Sequence, residues 1–152
     1  GWESLNIPLK IIGDGPLIEM VKKIIEKNPS IEYLGQLEHS QVRKYLQSAR
    51  LLVFPSRMYE GFGLSIVEAF ASYTPVLAMN IPPRTELIKQ NITGLLYKQN
   101  DSGDLALKAQ WLWDHQKECR EMGKNARNEF EMKYTPTRNY DILRNIYDSV
   151  LG

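Results

Sequence analysis

Leu51-Leu52-Val53-Phe54-Pro55-Ser56, the loop 57–63, Leu64-Ser65-Ile66-Val67-Glu68-Ala69-Phe70-Ala71-Ser72-Tyr73 and Thr74-Pro75-Val76-Leu77-Ala78-Met79 form the stretch from which the fold can be read. Two apolar runs, 51–54 and 76–79, are continuous rather than alternating, as a strand covered on both faces requires. Pro55 ends the first and Pro75 precedes the second. Between them, Ile66, Val67, Ala69, Phe70 and Ala71 give residues 64–73 the composition of a buried helix. Strand, glycine loop, buried helix and second buried strand make a unit of a parallel sheet.

The same alternation extends outward. Pro8 to Ile12 is an apolar run that stops at Gly13-Asp14-Gly15-Pro16, after which Leu17, Ile18, Met20, Val21, Ile24 and Ile25 recur at helical spacing. Ile31 to Leu34 reads as a strand closed by Gly35, and Ser40 as the N-cap of a helix turning Val42, Tyr45, Leu46 and Ala49 inward. Ile81-Pro82-Pro83-Arg84 excludes regular structure. Glu86 to Gln90 predicts a short helix, and Gly94 opens a fifth strand through Tyr97. Asp104 predicts a cap for a helix to about His115; charged amphipathic helices follow at roughly 117–130 and 138–151, separated by Thr135-Pro136-Thr137. The expected fold is α/β: one doubly wound, Rossmann-like parallel sheet with helices on both faces. Ligands then bind at the carboxyl ends of the strands, which directs attention to the loops 13–16, 56–63 and 80–85.

Composition narrows the function. The 152 residues are 43% apolar and 24% charged, ordinary for a single globular domain. A formal charge of +1 disfavours nucleic acid as a partner. One cysteine, Cys119, excludes an intramolecular disulfide, and with two histidines leaves too few soft ligands for a zinc cluster. A reducing, cytoplasmic compartment is the expectation, and no apolar run approaches the ~20 residues of a membrane span.

Gly13 and Gly15 follow a strand and open a helix, where backbone N–H groups can face an anion; a tight turn requiring positive φ is the competing reading. The fuller dinucleotide fingerprint needs a glycine where Ile18 stands and an acidic residue where Gly35 stands, so a nicotinamide-dependent dehydrogenase is disfavoured. Glu60-Gly61-Phe62-Gly63-Leu64 is more informative. Its glycines let backbone approach a ligand closely, and the first helical turn after them suits a diphosphate. Glu60 and Glu68 beside such an anion site are poor phosphate ligands but good acceptors for sugar hydroxyls. A solvated helix glutamate is the plainer reading of Glu68, and a solvated loop arginine that of Arg84. A glycosidase-type pair is a separate claim that spacing does not establish.

From Leu9 to about Phe130 the chain resembles the C-terminal, nucleotide-sugar-binding domain of retaining glycosyltransferases of the GT-B fold, family 4. The resemblance is carried in order by Ile-Ile-Gly-Asp-Gly-Pro at 11–16, Tyr-Leu-Gly at 33–35, Phe-Pro-Ser at 54–56, Glu-Gly-Phe-Gly-Leu at 60–64, Glu-Ala-Phe-Ala at 68–71, Thr-Pro-Val at 74–76 and Thr-Gly-Leu-Leu at 93–96, with Glu60 and Glu68 in the family's E-x7-E spacing. It implies that Glu68 hydrogen-bonds the donor ribose and that Glu60 holds the donor sugar near the reacting carbon. Gly61, Phe62, Gly63 and Leu64 supply N–H groups to sugar and diphosphate, and Leu37 borders the base. Ser56, Arg84 and Glu86 are further candidates. The donor is a UDP-, GDP- or ADP-sugar, with no cofactor and no metal. The acceptor, a glycan or lipid-linked glycan, is bound by an N-terminal domain. The resemblance thus implies a hexosyltransferase of polysaccharide biosynthesis, cytoplasmic or at the cytoplasmic face of a membrane. A GT-B nucleotide-sugar epimerase and a non-catalytic nucleotide-binding module are the alternatives. Two departures stand out: Tyr73 where the family often has glycine, and Ile81-Pro82-Pro83-Arg84-Thr85 where it often has a glycine-rich loop.

The resemblance also implies that the first strand of the donor domain, central in the order 3-2-1-4-5-6, is absent together with the N-terminal domain, so that residues 1–152 are a partial donor domain. Three outcomes follow: the strands at 9–12 and 51–54 pair directly, another copy supplies backbone, or a gap remains. Self-association or marginal stability is therefore expected. A monomer by sedimentation with a cooperative calorimetric melt would count against it.

Overall fold

The computed structural model describes residues 2–56 and 63–151. Within them a single 3-10 turn at Trp2–Ser4 precedes β1 (Leu9–Ile12), α1 (Ile18–Ile25), β2 (Ile31–Gly35), α2 (His39–Ser48), β3 (Leu52–Phe54), α3 (Leu64–Ala71), β4 (Val76–Met79), α4 (Arg84–Leu87), β5 (Gly94–Tyr97), α5 (Ser102–Asp114), α6 (Gln116–Lys133) and α7 (Pro136–Leu151). Every strand pairing among the described residues is parallel. The α/β class expected from sequence is what the chain adopts.

The strands form two sheets rather than one. β1 pairs with β2, and β3, β4 and β5 pair in that order. Among the described residues β1 and β3 share no ladder, so of the three outcomes direct pairing does not occur. Among those same residues, the edge of β1 away from β2 and the edge of β3 away from β4 have no strand partner.

β4 is the centre of the molecule. All four of its residues are buried, and its side chains alternate between two cores. Val76 and Ala78 join Phe54 of β3, Ile66, Ala69 and Phe70 of α3, Leu46 of α2 and Ala126 of α6. Leu77 and Met79 join Leu95 and Tyr97 of β5, Ala109 and Leu112 of α5, and Cys119 and Met122 of α6. That two-sided cover is why residues 76–79 read as a continuous apolar run. Cys119 lies in the second core, donates to the Arg50 carbonyl at 3.3 Å, and its thiol is pushed up by burial, so it is an inert structural cysteine.

Several helix boundaries differ from the sequence reading, and at α2 and α5 the reason is that a neighbouring residue makes the cap. The N-cap of α2 is Glu38, not Ser40, because Gln41 accepts from the Glu38 N–H at 3.1 Å and closes a capping box. Ala49 lies just beyond that helix in extended backbone and is exposed rather than inward. Asp101, not Asp104, caps α5, accepting from the Asp104 N–H at 2.8 Å. α4 begins at Arg84 and ends at Leu87, ahead of the expected Glu86–Gln90. Pro136 opens α7, a position where its missing N–H costs nothing.

α6 approaches the α3–β4 turn unusually closely. At Gly123 a Cβ would lie 2.2 Å from the Tyr73 carbonyl oxygen and 3.4 Å from Pro75 Cδ. Tyr73 itself turns in the left-handed region, φ 60°, which explains why the family often places glycine there. Arg127 of α6 stacks its guanidinium 5.2 Å from the Tyr73 ring centroid and donates to the Ala71 carbonyl at 2.5 Å, satisfying the C-terminus of α3. Further along, Glu129 is buried and accepts from Lys89 at 2.6 Å and Lys133 at 2.5 Å. Burial alone favours its neutral form, but the hydrogen bonds from the two lysines and their charges outweigh burial and hold the carboxyl below its ordinary range.

This seam makes two predictions. Gly123→Ala, which must push α6 off the Tyr73 backbone, lowers the unfolding free energy by about 2 kcal/mol in denaturant titration; an unchanged midpoint would mean the turn yields freely. For Glu129 the folded-state carboxyl is depressed, so its stabilisation is complete above the unfolded value of about 4.3 and is lost as pH falls through the folded value. Glu129→Gln is therefore less stable by about 2 kcal/mol at pH 7 and shows a shallower loss of stability on acidification than the parent chain. Parallel acid profiles would contradict the assignment.

Candidate functional site at the strand carboxyl ends

The loops leaving β1 and β2 are tied to each other. Gly13 N–H donates to the Gly35 carbonyl at 2.8 Å, and the Tyr33 hydroxyl donates to the Gly13 carbonyl at 2.9 Å. Gly13 sits at φ 132°, a conformation available to glycine, which matches the tight-turn reading. Gly15 does not share that role: its φ is not positive, and its N–H is taken by the Asp14 carboxylate at 2.6 Å. An acidic side chain on that amide disfavours a diphosphate there. Leu37, half-buried, lies between Gly35 and the start of α2.

Among the helices that follow the strands, α1, α2 and α3 begin differently. α1 carries Glu19 in its first turn. α2 carries the Glu38–Gln41 capping box. α3 opens at Gly63, which adopts φ 61°, and no side chain caps it; the Ile66 N–H turns back to the Gly63 carbonyl at 2.9 Å. Gly63 is confined by contact as well as by φ, since a Cβ there would meet Ile66 Cδ1 at 3.2 Å and Leu87 Cδ1 at 3.4 Å. With no acidic residue in its first turn, the α3 N-terminus is the one whose partial positive charge is left uncompensated by its own sequence. Leu64 at its start is 69% exposed.

Glu68 is one turn into α3. Ile66, Val67, Ala69 and Phe70 are buried, and Glu68 emerges on the remaining face with its side chain 42% exposed. It faces α2: its Oε1 lies 3.5 Å from His39 Nδ1. Both residues line a cavity of about 420 Å³ between α2 and α3, together with Ser40, Arg43, Ser72 and Phe130. Glu68 is thus a partly solvated carboxylate that also borders that cavity.

The remaining candidates separate. Glu60, Gly61 and Phe62 lie outside the described residues. Ser56 follows the end of β3 and is half-buried, and Glu86 is exposed on α4. Arg84 overturns the solvated-arginine expectation: it is 2% exposed, with its guanidinium carbon 5.1 Å from the Phe54 ring centroid. That places the cation within cation–π range of an aromatic face at the carboxyl end of β3. His39 and Arg43 are the residues that sequence reasoning misses. The one signal for them is position: both follow the second strand's loop on the helix that packs opposite α3.

Residues 3–129 match the glycosyl transferases group 1 family. The chain belongs to that family. It is 28% identical to the O-antigen chain mannosyltransferase C of Escherichia coli over 98% of this chain and 41% of that one. Among solved structures it superimposes on sucrose-phosphate synthase of Thermosynechococcus elongatus with a TM-score of 0.83 at 25% identity, covering 94% of this chain and 38% of that one. With TarM of Staphylococcus aureus, crystallised with fondaparinux, alpha-GlcNAc-glycerol and UDP, the TM-score is 0.81 at 28% identity, over 92% of this chain and 29% of that one. These structural neighbours are GT-B glycosyltransferases. The chain spans 41% of the length of that mannosyltransferase and between 11% and 42% of the length of the other curated relatives compared with it. No helix among the described residues is long and apolar enough to cross a membrane.

Proposed function

We propose that this chain forms the donor-binding part of a retaining, family 4 glycosyltransferase that moves a hexose from a nucleoside diphosphate to a glycan or lipid-linked acceptor. The observation that carries this reading is Glu68, which lines the cavity between α2 and α3 one turn beyond a helix N-terminus with no side-chain cap. A carboxylate there accepts from the paired hydroxyls of a ribose, while the first turn of α3 accepts the anion attached to it. The UDP held by TarM is the same class of molecule.

In this proposal Gly63 and Leu64, with Gly61 and Phe62 before them, present N–H groups to the diphosphate, and Leu37 borders the base. Glu60 positions the donor sugar. The bond from the anomeric carbon to the phosphate oxygen breaks as the acceptor hydroxyl attacks from the same face. Its proton passes to the departing phosphate. Backbone dipoles aimed at the leaving oxygens supply the stabilisation that a metal supplies in other transferases. The acceptor is bound by the part of such enzymes that this chain does not match, and the reaction is cytoplasmic.

Calorimetric titration of the chain with UDP, GDP, ADP and their hexose conjugates tests the donor site. One nucleotide binds, and Glu68→Ala weakens it at least tenfold, as the loss of charge-assisted hydrogen bonds requires. Equal affinity in the variant would remove Glu68 from the site and with it this reading.

A further inference from the structure

We infer that His39 is a positioning residue for Glu68, setting the direction in which that carboxylate meets a nucleoside; the inference rests on the donor-site reading above. His39 is the first residue of α2, two beyond Leu37, and its Nδ1 stands 3.5 Å from Glu68 Oε1. Its side chain is 95% exposed. An ion pair so open to water adds little to folding. Its effect falls on geometry instead. A carboxylate offers about four lone-pair directions over two oxygens. An imidazole nitrogen 3.5 Å from Oε1 favours one rotation of the carboxylate, and in this inference Oε2 is the oxygen offered to a pair of ribose hydroxyls. Without that contact Glu68 must be ordered by the ligand itself, and the ordering is subtracted from affinity.

α2 follows directly from β2 and, through Leu46, packs in the same core as α3. A nucleoside bordered by Leu37 and held by Glu68 touches the loop that leads into α2 and the helix α3, so the contact of His39 with Glu68 lies beside the span it bridges.

The test is titration of the chain with UDP, GDP and ADP, using the parent and His39→Ala, His39→Gln, Glu68→Ala and the Ala/Ala double variant, with the melting temperature of each. His39→Ala weakens the bound nucleotide about fivefold without moving the melt. The double variant is no weaker than Glu68→Ala. His39→Gln, which keeps a donor, recovers most of the affinity. If Glu68→Ala weakens binding and His39→Ala does not, this inference is overturned and the donor site stands. If Glu68→Ala changes nothing, or no nucleotide binds the parent, the donor-site reading fails and carries the inference with it.

Discussion

The close seating of α6 against the turn between α3 and β4 is the constraint on which the rest of the carboxyl-end geometry depends. Because Gly123 has no side chain, α6 reaches the Tyr73 carbonyl, and from there Arg127 reaches the Ala71 carbonyl. Thr74 extends the seam in the other direction, its hydroxyl donating to the Leu46 carbonyl of α2 at 2.7 Å. α3 is therefore fixed at its C-terminal end by α6 and by α2 together. Its N-terminal end, where Gly63 and Glu68 lie, is placed by consequence. A helix of eight residues has little length over which to lose that alignment.

The strands, their parallel sense and the two-sided burial of β4 are legible in the sequence because a short apolar run without alternation, bounded by proline and glycine, suits a strand covered on both faces better than any exposed element. Glycine loops and the span of α3 are legible for the same local reasons. Helix starts are not, where two candidate caps stand close together. Asp101 and Asp104 both fit, and the choice depends on which side chain reaches an N–H, a matter of backbone path and not of composition. The burial of Arg84 is hidden differently: arginine is ordinarily exposed, and only the fold brings Phe54 under residue 84. In the sequence His39 is no more than one of two histidines, too few for zinc. Its pairing with Glu68 needs two helices to meet and leaves no trace in spacing along the chain.

The split of the sheet shows how unevenly burial is distributed. Around β4 both faces are covered, whereas α1 has no buried residue, and Leu17 and Met20 beside or within it are 62% and 52% exposed. β1 keeps an exposed Lys10, paired with Glu32 across the ladder. An apolar helix stripe and a strand edge, both uncovered, do not gain the stabilisation that their composition could provide. The β1–α1–β2 portion is accordingly the less stable part of the molecule, and opening there requires the loss of fewer buried contacts than opening around β4.

That imbalance bears on the candidate site because the site draws on both portions. Gly13, Gly35 and Leu37 come from the lightly buried sheet and its loops; Gly63, Leu64 and Glu68 come from the helix fixed to the central core. Of the first three helices, α1 and α2 carry Glu19 and Glu38 at their N-terminal ends, whereas the described residues of α3 place no acidic group in its first turn. In the proposed site the anion therefore falls on the firmly packed side, where its partners do not have to move. The group attached to that anion is left to meet the lightly packed side, where shape can adjust. Rigid recognition of the charged centre with adaptable recognition of its substituent is the division of labour expected of a family whose members share a donor chemistry and differ in what they attach it to.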